Sequence, residues 1–593
     1  EDIDWAPGLA YNARYFDRSF LTGLDQDDWI EAVREIQQGL TDSVIVSAIH
    51  LWPPEIYALH GKEIIRDLKS RRDDLMEAAL ELYRFLARDV DVVGSDKHEV
   101  FDVVRQSDGN VVVDMYKASK EGERSRHLYH RTFRPAETRE IRLYGRGGLD
   151  RFNITGEAQS SIRIRVIGGD DQDTLRDVSS VRAPGRHTIF YDTPGSSFLQ
   201  TSGEVQDRRE DDPTVNRYDR MAFRYDRLAP LLYGNFNPDD GLFIGGGVLY
   251  QNHGFRKEPF RQRHIALASI APRTRSYNLL YRGIFTGVTG KWNLEVAADL
   301  KVPNFVNNFF GWGNESVFDD EIDDQPGIDA DDAIDYYRFR FEEIRLAAML
   351  TRPIGSYTEL KIGSAYQRIE LERSEGEDRY VFDYAESLPY DIFEDYNSFA
   401  GLQFELESAK RDDAVLTKRG VYARLSGRAM QAVSEGQGFT SLDGSVALYH
   451  TFRYPGRLVF AVRAGGGVNT GTYPFYQAQV LDGRTEIRGY RKTRFYGDSR
   501  FYTNLEMRLQ LTSFRTYLFP VSLGILGFHD FGRVWYEDDE GNDPTAPSGH
   551  SDVWHRTWGG GIWMTPFNLT VLSAELGHSP EGNLFYLRLG FLF

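Results

Sequence analysis

Cysteine is absent from the 593-residue chain. That removes disulfides, thiolate metal ligands and cysteine nucleophiles together, and suits an exported protein that folds without redox help. No run of about 18 apolar residues occurs, so no helix is expected to cross a membrane; a crossing would have to be made by strands. Basic charge is in deficit, with 70 Lys and Arg against 89 Asp and Glu and a net charge of −19. A phosphate backbone would be repelled, so nucleic acid is not an expected partner. The G-x-S-x-G, H-E-x-x-H and P-loop motifs are missing too, and no enzymatic activity is expected.

What is abundant points the other way. The chain carries 56 Gly, 33 Tyr and 38 Phe without a collagen-like or low-complexity period. This excess suits β-structure with aromatic belts at a membrane interface. The length exceeds one ordinary core, so at least two folding units are expected.

Residues 1–98 read as helical. Asp27 or Asp28 is placed to cap a stripe of Trp29, Ile30, Val33, Ile36 and Leu40, and Thr41-Asp42 opens a second segment that Pro53-Pro54 ends. A third helix runs from about Lys62 to Arg88. Residues 99–205 switch to period two and read as short strands, the first two turning at Asp108-Gly109. Two segments within them repeat, with Gly145 aligned to Gly168 and Asp150 to Asp173. Residues 206–218, charged and containing Pro213, read as a linker.

From 219 to 593 the chain is a series of alternating segments. Sixteen candidates fall at 219–236, 241–251, 260–272, 276–287, 291–302, 336–351, 357–371, 394–409, 415–430, 439–452, 456–469, 501–512, 521–535, 555–566, 569–579 and 584–593. Short turns such as Val288-Thr289-Gly290 alternate with long connections such as 303–335 and 470–500, which predicts a sixteen-stranded antiparallel transmembrane β-barrel with periplasmic short turns. In 501–511 the residues Phe501, Thr503, Leu505, Met507, Leu509 and Leu511 share a lipid face, and Tyr502, Asn504, Glu506, Arg508 and Gln510 a wet one. The last segment is expected to point Phe585, Leu587, Leu589, Phe591 and Phe593 outward. The fold class is thus mainly β, a barrel preceded by an α+β domain.

The long connection near residue 490 contains Ile487-Arg488-Gly489-Tyr490, and Phe528-His529-Asp530-Phe531-Gly532 follows on a later strand. These motifs, with a terminal aromatic, resemble the bacterial surface antigen barrel of the BamA/TamA-like outer-membrane assembly and secretion superfamily, across roughly 219–593. The resemblance implies an arginine loop folded into the lumen and an F-x-D-x-G strand facing it. It also implies a Gram-negative-type outer membrane with lipopolysaccharide around the barrel, a periplasmic N-terminal domain, and client or partner proteins. A buried arginine needs a partner, and Asp530 is on the inward parity, with Glu506 a second choice and Gly532 completing the motif. Pro230 in the first strand has no N–H to donate, so either the seam with the strand ending in Phe591 and Phe593 is short, or Pro230 sits at the strand's start or turns its missing donor to solvent.

Relatives usually carry tandem POTRA domains of βααββ type, a repeat that residues 1–215 do not show. Phe309-Phe310-Gly311-Trp312-Gly313-Asn314 is similar to a subgroup fused to a calcineurin-like metallophosphatase, whose D-x-H motif is missing here.

The Asp150 and Asp173 turns loosely resemble calcium-binding β-roll repeats, so Ca²⁺ is one reading and a plain stack of short strands the other. The acidic run from Asp319 to Asp335 reads as a solvated loop or a cation site bridging lipid phosphates. His127 and His130 read as strand-edge histidines without a third ligand.

Overall fold

The computed structural model describes residues 5–201, 203, 205–237, 239–322, 332–373, 378–388, 391–393, 397–434, 438–452, 457–517, 519–536, 552–567 and 569–593. The chain divides into two units, Glu1–Arg224 and Tyr225–Phe593.

The first unit opens with helices that include Arg14–Phe20, Gln26–Gly39, Asp42–Ile49, Lys62–Asp73 and Leu75–Ala87. Asp25, rather than Asp27 or Asp28, caps the second of these. Its carboxylate accepts from the Asp27 and Asp28 N–H groups, and the Asp28 side chain accepts in return from the Asp25 N–H at 2.8 Å. Thr41 caps the next helix through the Val44 N–H, as its position predicts.

Strands begin at Asp89, before the expected boundary at 98/99. β1 (Asp89–Val93), β5 (Glu140–Arg146), β7 (Arg163–Gly169), β10 (Thr188–Tyr191) and β12 (Val205–Asp207) pair in parallel in one sheet. β2 (Glu99–Arg105), β6 (Arg151–Ala158), β8 (Asp173–Asp177) and β11 (Ser197–Thr201) pair in parallel in another, which the β3 (Val111–Ala118) and β4 (Arg124–Phe133) hairpin extends. Successive strands alternate between the sheets, so the chain winds as a solenoid. Its interior holds Phe101, Ile141, Phe152, Ile164, Leu175 and Phe190. Phe101 stacks on Phe152 in the next coil at 4.7 Å between ring centroids.

The turns explain the glycine-aspartate repeat. A Cβ on Gly145 would lie 2.4 Å from the Asp150 carboxylate, and one on Gly168 would lie 2.8 Å from that of Asp173. Glycine five residues ahead of the acid leaves room for the carboxylate to fold into the corner. The 206–218 segment is not a free linker, contrary to its composition. β12 takes Gln206 and Asp207, and Asn216 is buried with its amide donating to Asp192 Oδ1 at 2.9 Å. Backbone groups at the end of the solenoid need partners, and this segment supplies them.

In the second unit all sixteen expected strands form, each antiparallel to the next in chain order, from Arg227–Asn237 to Gly582–Leu589. The long connections leave the fifth, seventh and eleventh strands at the same end of the sheet. In the twelfth strand, Ser499–Arg515, Leu505 and Met507 are exposed while Asn504, Glu506 and Arg508 are buried. That is the lipid-out, polar-in alternation of a membrane barrel.

Two details of the seam differ from expectation. Among the described residues no backbone ladder joins the first strand to the last, although every other neighbouring pair has one. Phe591 and Phe593 do not point outward. The last strand stops at Leu589, Gly590 takes a φ of +115°, and Phe591 turns back onto the Arg508 guanidinium, 3.9 Å from its ring centroid, and packs near Trp563. The Phe593 carbonyl accepts from Arg508 Nη2 at 2.7 Å. A left-handed turn at glycine and an inward arginine override the alternation that local pattern would continue.

Candidate functional site in the barrel lumen

The connection between the eleventh and twelfth strands folds into the barrel. It is pinned by a short ribbon, Gln479–Leu481 against Phe495–Gly497, and by an apolar cluster of Leu481, Ile487, Tyr490, Phe495, Tyr502 and Val534. Ile487 and Tyr490 thus act as the apolar seat of the motif, and Arg488 is left pointing at the wall.

The Arg488 side chain is fully buried and reaches Asp530 on the thirteenth strand (Pro520–Trp535) with two parallel hydrogen bonds. Nε donates to Oδ2 at 2.8 Å and Nη2 to Oδ1 at 2.9 Å, while the Arg488 backbone N–H adds a third at 3.1 Å. Nη1 is shared between Glu506 and Glu575, the latter at 3.2 Å. The guanidinium lies 3.6 Å from the centroid of the Phe528 ring. A bidentate pair, two further carboxylates and an aromatic face satisfy the cation in a site that excludes water.

Excess negative charge is met by two more arginines. Arg508 Nε donates to Glu506 Oε1 at 2.6 Å, and Arg588 lies 3.7 Å from Glu575. Three guanidinium groups therefore face three carboxylates, which keeps the buried cluster neutral.

The F-x-D-x-G motif has a physical reading at each place. Phe528, Asp530 and Gly532 share one face of the strand. Phe528 supplies the ring and Asp530 the charge. A Cβ on Gly532 would sit 2.9 Å from Leu481, so glycine there lets the loop approach. Gly489 works similarly from the loop side. Its φ is +103°, and a Cβ would meet the His578 backbone at 3.0 Å. Its N–H donates to the Tyr586 hydroxyl at 2.8 Å, and that hydroxyl donates to the Tyr490 carbonyl at 3.1 Å.

A second connection closes over the first. Arg494 is buried, donates to Glu581 Oε1 at 2.6 Å and to the Ser316 carbonyl at 2.7 Å, and lies between the rings of Phe310 and Phe495. Asn314 bridges to the thirteenth strand, donating to the Val534 carbonyl at 2.7 Å and accepting from its N–H at 2.9 Å. The Phe309-to-Asn314 segment, whose sequence resembles a phosphatase-fused subgroup, is thus a packing element of this plug.

The structure brings Ile487, Arg488, Gly489, Tyr490, Glu506, Asp530 and Gly532 together. Pro230 lies far along the chain from them, opposite Val248 in the ladder of the first two strands. Sequence reasoning missed Glu575, Tyr586 and Phe528 as partners. Inward parity was the available signal for Glu575 and Tyr586; the cross-strand register that selects them is set only by the whole sheet.

Asp150 and Asp173 are buried in successive solenoid corners. The Glu99 N–H donates to Asp150 Oδ1 at 2.7 Å and the Asp150 N–H to Asp173 Oδ1 at 2.9 Å. Burial, reinforced by neighbouring carboxylates, raises Asp150 to about 9 and Asp173 to about 8. Each acid thus accepts from the backbone of the preceding coil, and the two form a hydrogen-bond ladder along the corners. Of the acidic run, Asp335 pairs with Arg338, while Asp323, Asp324, Asp329 and Asp331 lie outside the described residues. His127 and His130, expected to lack a third ligand, share Asp114.

Residues 285–574 match the Omp85 superfamily domain. No curated protein matches the sequence. Among solved structures, the chain is similar to BamA from Haemophilus ducreyi lacking POTRA domains 1–3, at 14% identity over 61% of this chain and 69% of that one, with a TM-score of 0.43. It is also similar to CdiB from Escherichia coli, at 11% identity over 61% of each chain and a TM-score of 0.39. CdiB from Acinetobacter baumannii follows at 12% identity over 60% of each chain and 0.37. With its loop arginine held on the thirteenth strand, the chain carries an Omp85 superfamily domain over residues 285–574, within a sixteen-stranded β-barrel that resembles the BamA/TamA-like barrels.

Proposed function

We propose that this protein inserts or translocates other polypeptides through the seam between its first and last barrel strands, with the Glu1–Arg224 unit on the periplasmic side. The observation that carries the reading is that, among the described residues, no ladder joins Arg227–Asn237 to Gly582–Leu589. The first strand then offers a row of backbone groups, reduced by one donor at Pro230, to which a client strand can add by β-augmentation. The inward turn at Gly590 withdraws the end of the last strand from that edge, so a client does not have to displace it. Outward side chains such as Leu232, Leu402 and Leu587 are exposed and suit acyl chains, with lipopolysaccharide as the outer-leaflet partner.

The competing reading is an anchor, in which the barrel only holds the first unit or a partner domain, a phosphatase included, at the membrane. A chain without cysteine allows a clean test. Single cysteines placed on the first and last strands are oxidised to lock the seam in cells that depend on the protein. Loss of growth and of outer-membrane protein levels, restored by reductant, is expected. Normal growth and protein levels with the seam fully locked, in cells where deletion of the gene lowers both, would leave the anchor as the better account.

A further inference from the structure

We propose that Asp114, His127 and His130 form a binding site for a divalent transition-metal ion of the zinc class on the face of the β3–β4 hairpin. In a regular strand residues 127 and 130 would point to opposite faces. Here the ladder pairs Met115 with Tyr129 and then Tyr116 with His127, which leaves Leu128 as an extra residue in β4. This bulge brings His127 to the face that His130 shares with Asp114, its direct cross-strand partner.

The three side chains converge on a single point. His127 Nε2 lies 2.9 Å and His130 Nδ1 lies 2.8 Å from the same oxygen, Asp114 Oδ1. All three ligand atoms fall within 4.8 Å of one another. Tyr116 stacks on the His127 ring at 4.7 Å and holds its plane. Arg124, the nearby cation, is engaged with Asp102 at 2.6 Å.

Two imidazole nitrogens and one carboxylate oxygen on one face match the three-ligand set that binds Zn²⁺ with a position left for water. Bonds of about 2.0–2.1 Å in a tetrahedron separate ligand atoms by about 3.3 Å, so each imidazole nitrogen has to move only about half an ångström away from Asp114 Oδ1, with the two nitrogens already within 4.8 Å of one another. Both histidine side chains are exposed. Imidazole ligands select Zn²⁺, Cu²⁺ or Ni²⁺ over Ca²⁺ and Mg²⁺. The site contains no thiol, so an oxidising compartment would not inactivate it.

The test uses the full chain in detergent micelles, stripped with chelator and titrated with Co²⁺ alone, whose visible absorption reports imidazole and carboxylate ligation. One ion per chain is expected, displaced by Zn²⁺. Affinity should fall at least about tenfold in His127→Ala, His130→Ala and Asp114→Asn. In the unmodified protein, Zn²⁺ should protect His127 and His130 from carbethoxylation, read by mass spectrometry, while Ca²⁺ should not. Equal Co²⁺ uptake by the wild type and a His127→Ala/His130→Ala variant, no uptake by the wild type, or unchanged carbethoxylation in Zn²⁺ would overturn the proposal.

Discussion

The Tyr586 hydroxyl, on the last barrel strand, accepts from the Gly489 N–H of the lumen loop at 2.8 Å and returns a hydrogen bond to the Tyr490 carbonyl at 3.1 Å. The loop motif is therefore fastened to one side of the seam. Tyr586→Phe keeps the ring and removes the hydroxyl, leaving a buried N–H and carbonyl without that partner, at a local cost of about 1–3 kcal/mol. Faster proteolysis within 472–498 in the folded variant, with the barrel intact, is the expected readout.

Arg488 is the only cation that reaches Asp530, Glu506 and Glu575 together among the described residues. Arg488→Ala leaves Asp530 without its cation and Glu506 and Glu575 with only Arg508 and Arg588, a loss on the order of 3–5 kcal/mol. Arg488→Lys should rescue only partly, since an ammonium cannot make the bidentate pair with Asp530. Thermal unfolding in detergent should rank wild type above Lys above Ala. Equal stability of the Lys variant and the wild type would contradict the bidentate account.

The solenoid should lose stability on the alkaline side. Asp150 and Asp173 have folded-state values raised to about 9 and about 8, against 3.8 when unperturbed, so the folded state holds protons that the unfolded chain has released. Their contribution is full below pH 4 and is lost progressively as pH rises from about 4 to about 9. Asp173→Asn, neutral at every pH, should flatten this dependence. Hydrogen exchange of β5 to β8 amides at several pH values, corrected for intrinsic rates, measures it; a slope unchanged by the substitution would contradict the ladder account.

The barrel was legible because each strand writes its two environments in alternate residues, and closure permits few alternatives. Arg488 and Asp530 were legible from motif and parity. Four things were not. Glu575 depends on register between strands distant in sequence. The inward Phe591 and Phe593 depend on one left-handed glycine, Gly590, that interrupts an otherwise perfect alternation. The parallel pairing of β5, β7 and β10 depends on contacts a full coil apart, whereas the local signal is only a short strand and a Gly-Asp turn. The His127 face depends on a bulge at Leu128, which propensity does not mark.

The unpaired seam is the central claim, and amide hydrogen exchange of the protein in a lipid bilayer tests it most directly. Edge strands lack half their backbone partners, so amides of Arg227–Asn237 and Gly582–Leu589 should exchange well ahead of those in the interior strands Thr358–Leu371 and Ser398–Arg411. Protection of the first and last strands equal to that of the interior strands would show the seam closed by a full ladder, and would contradict the account.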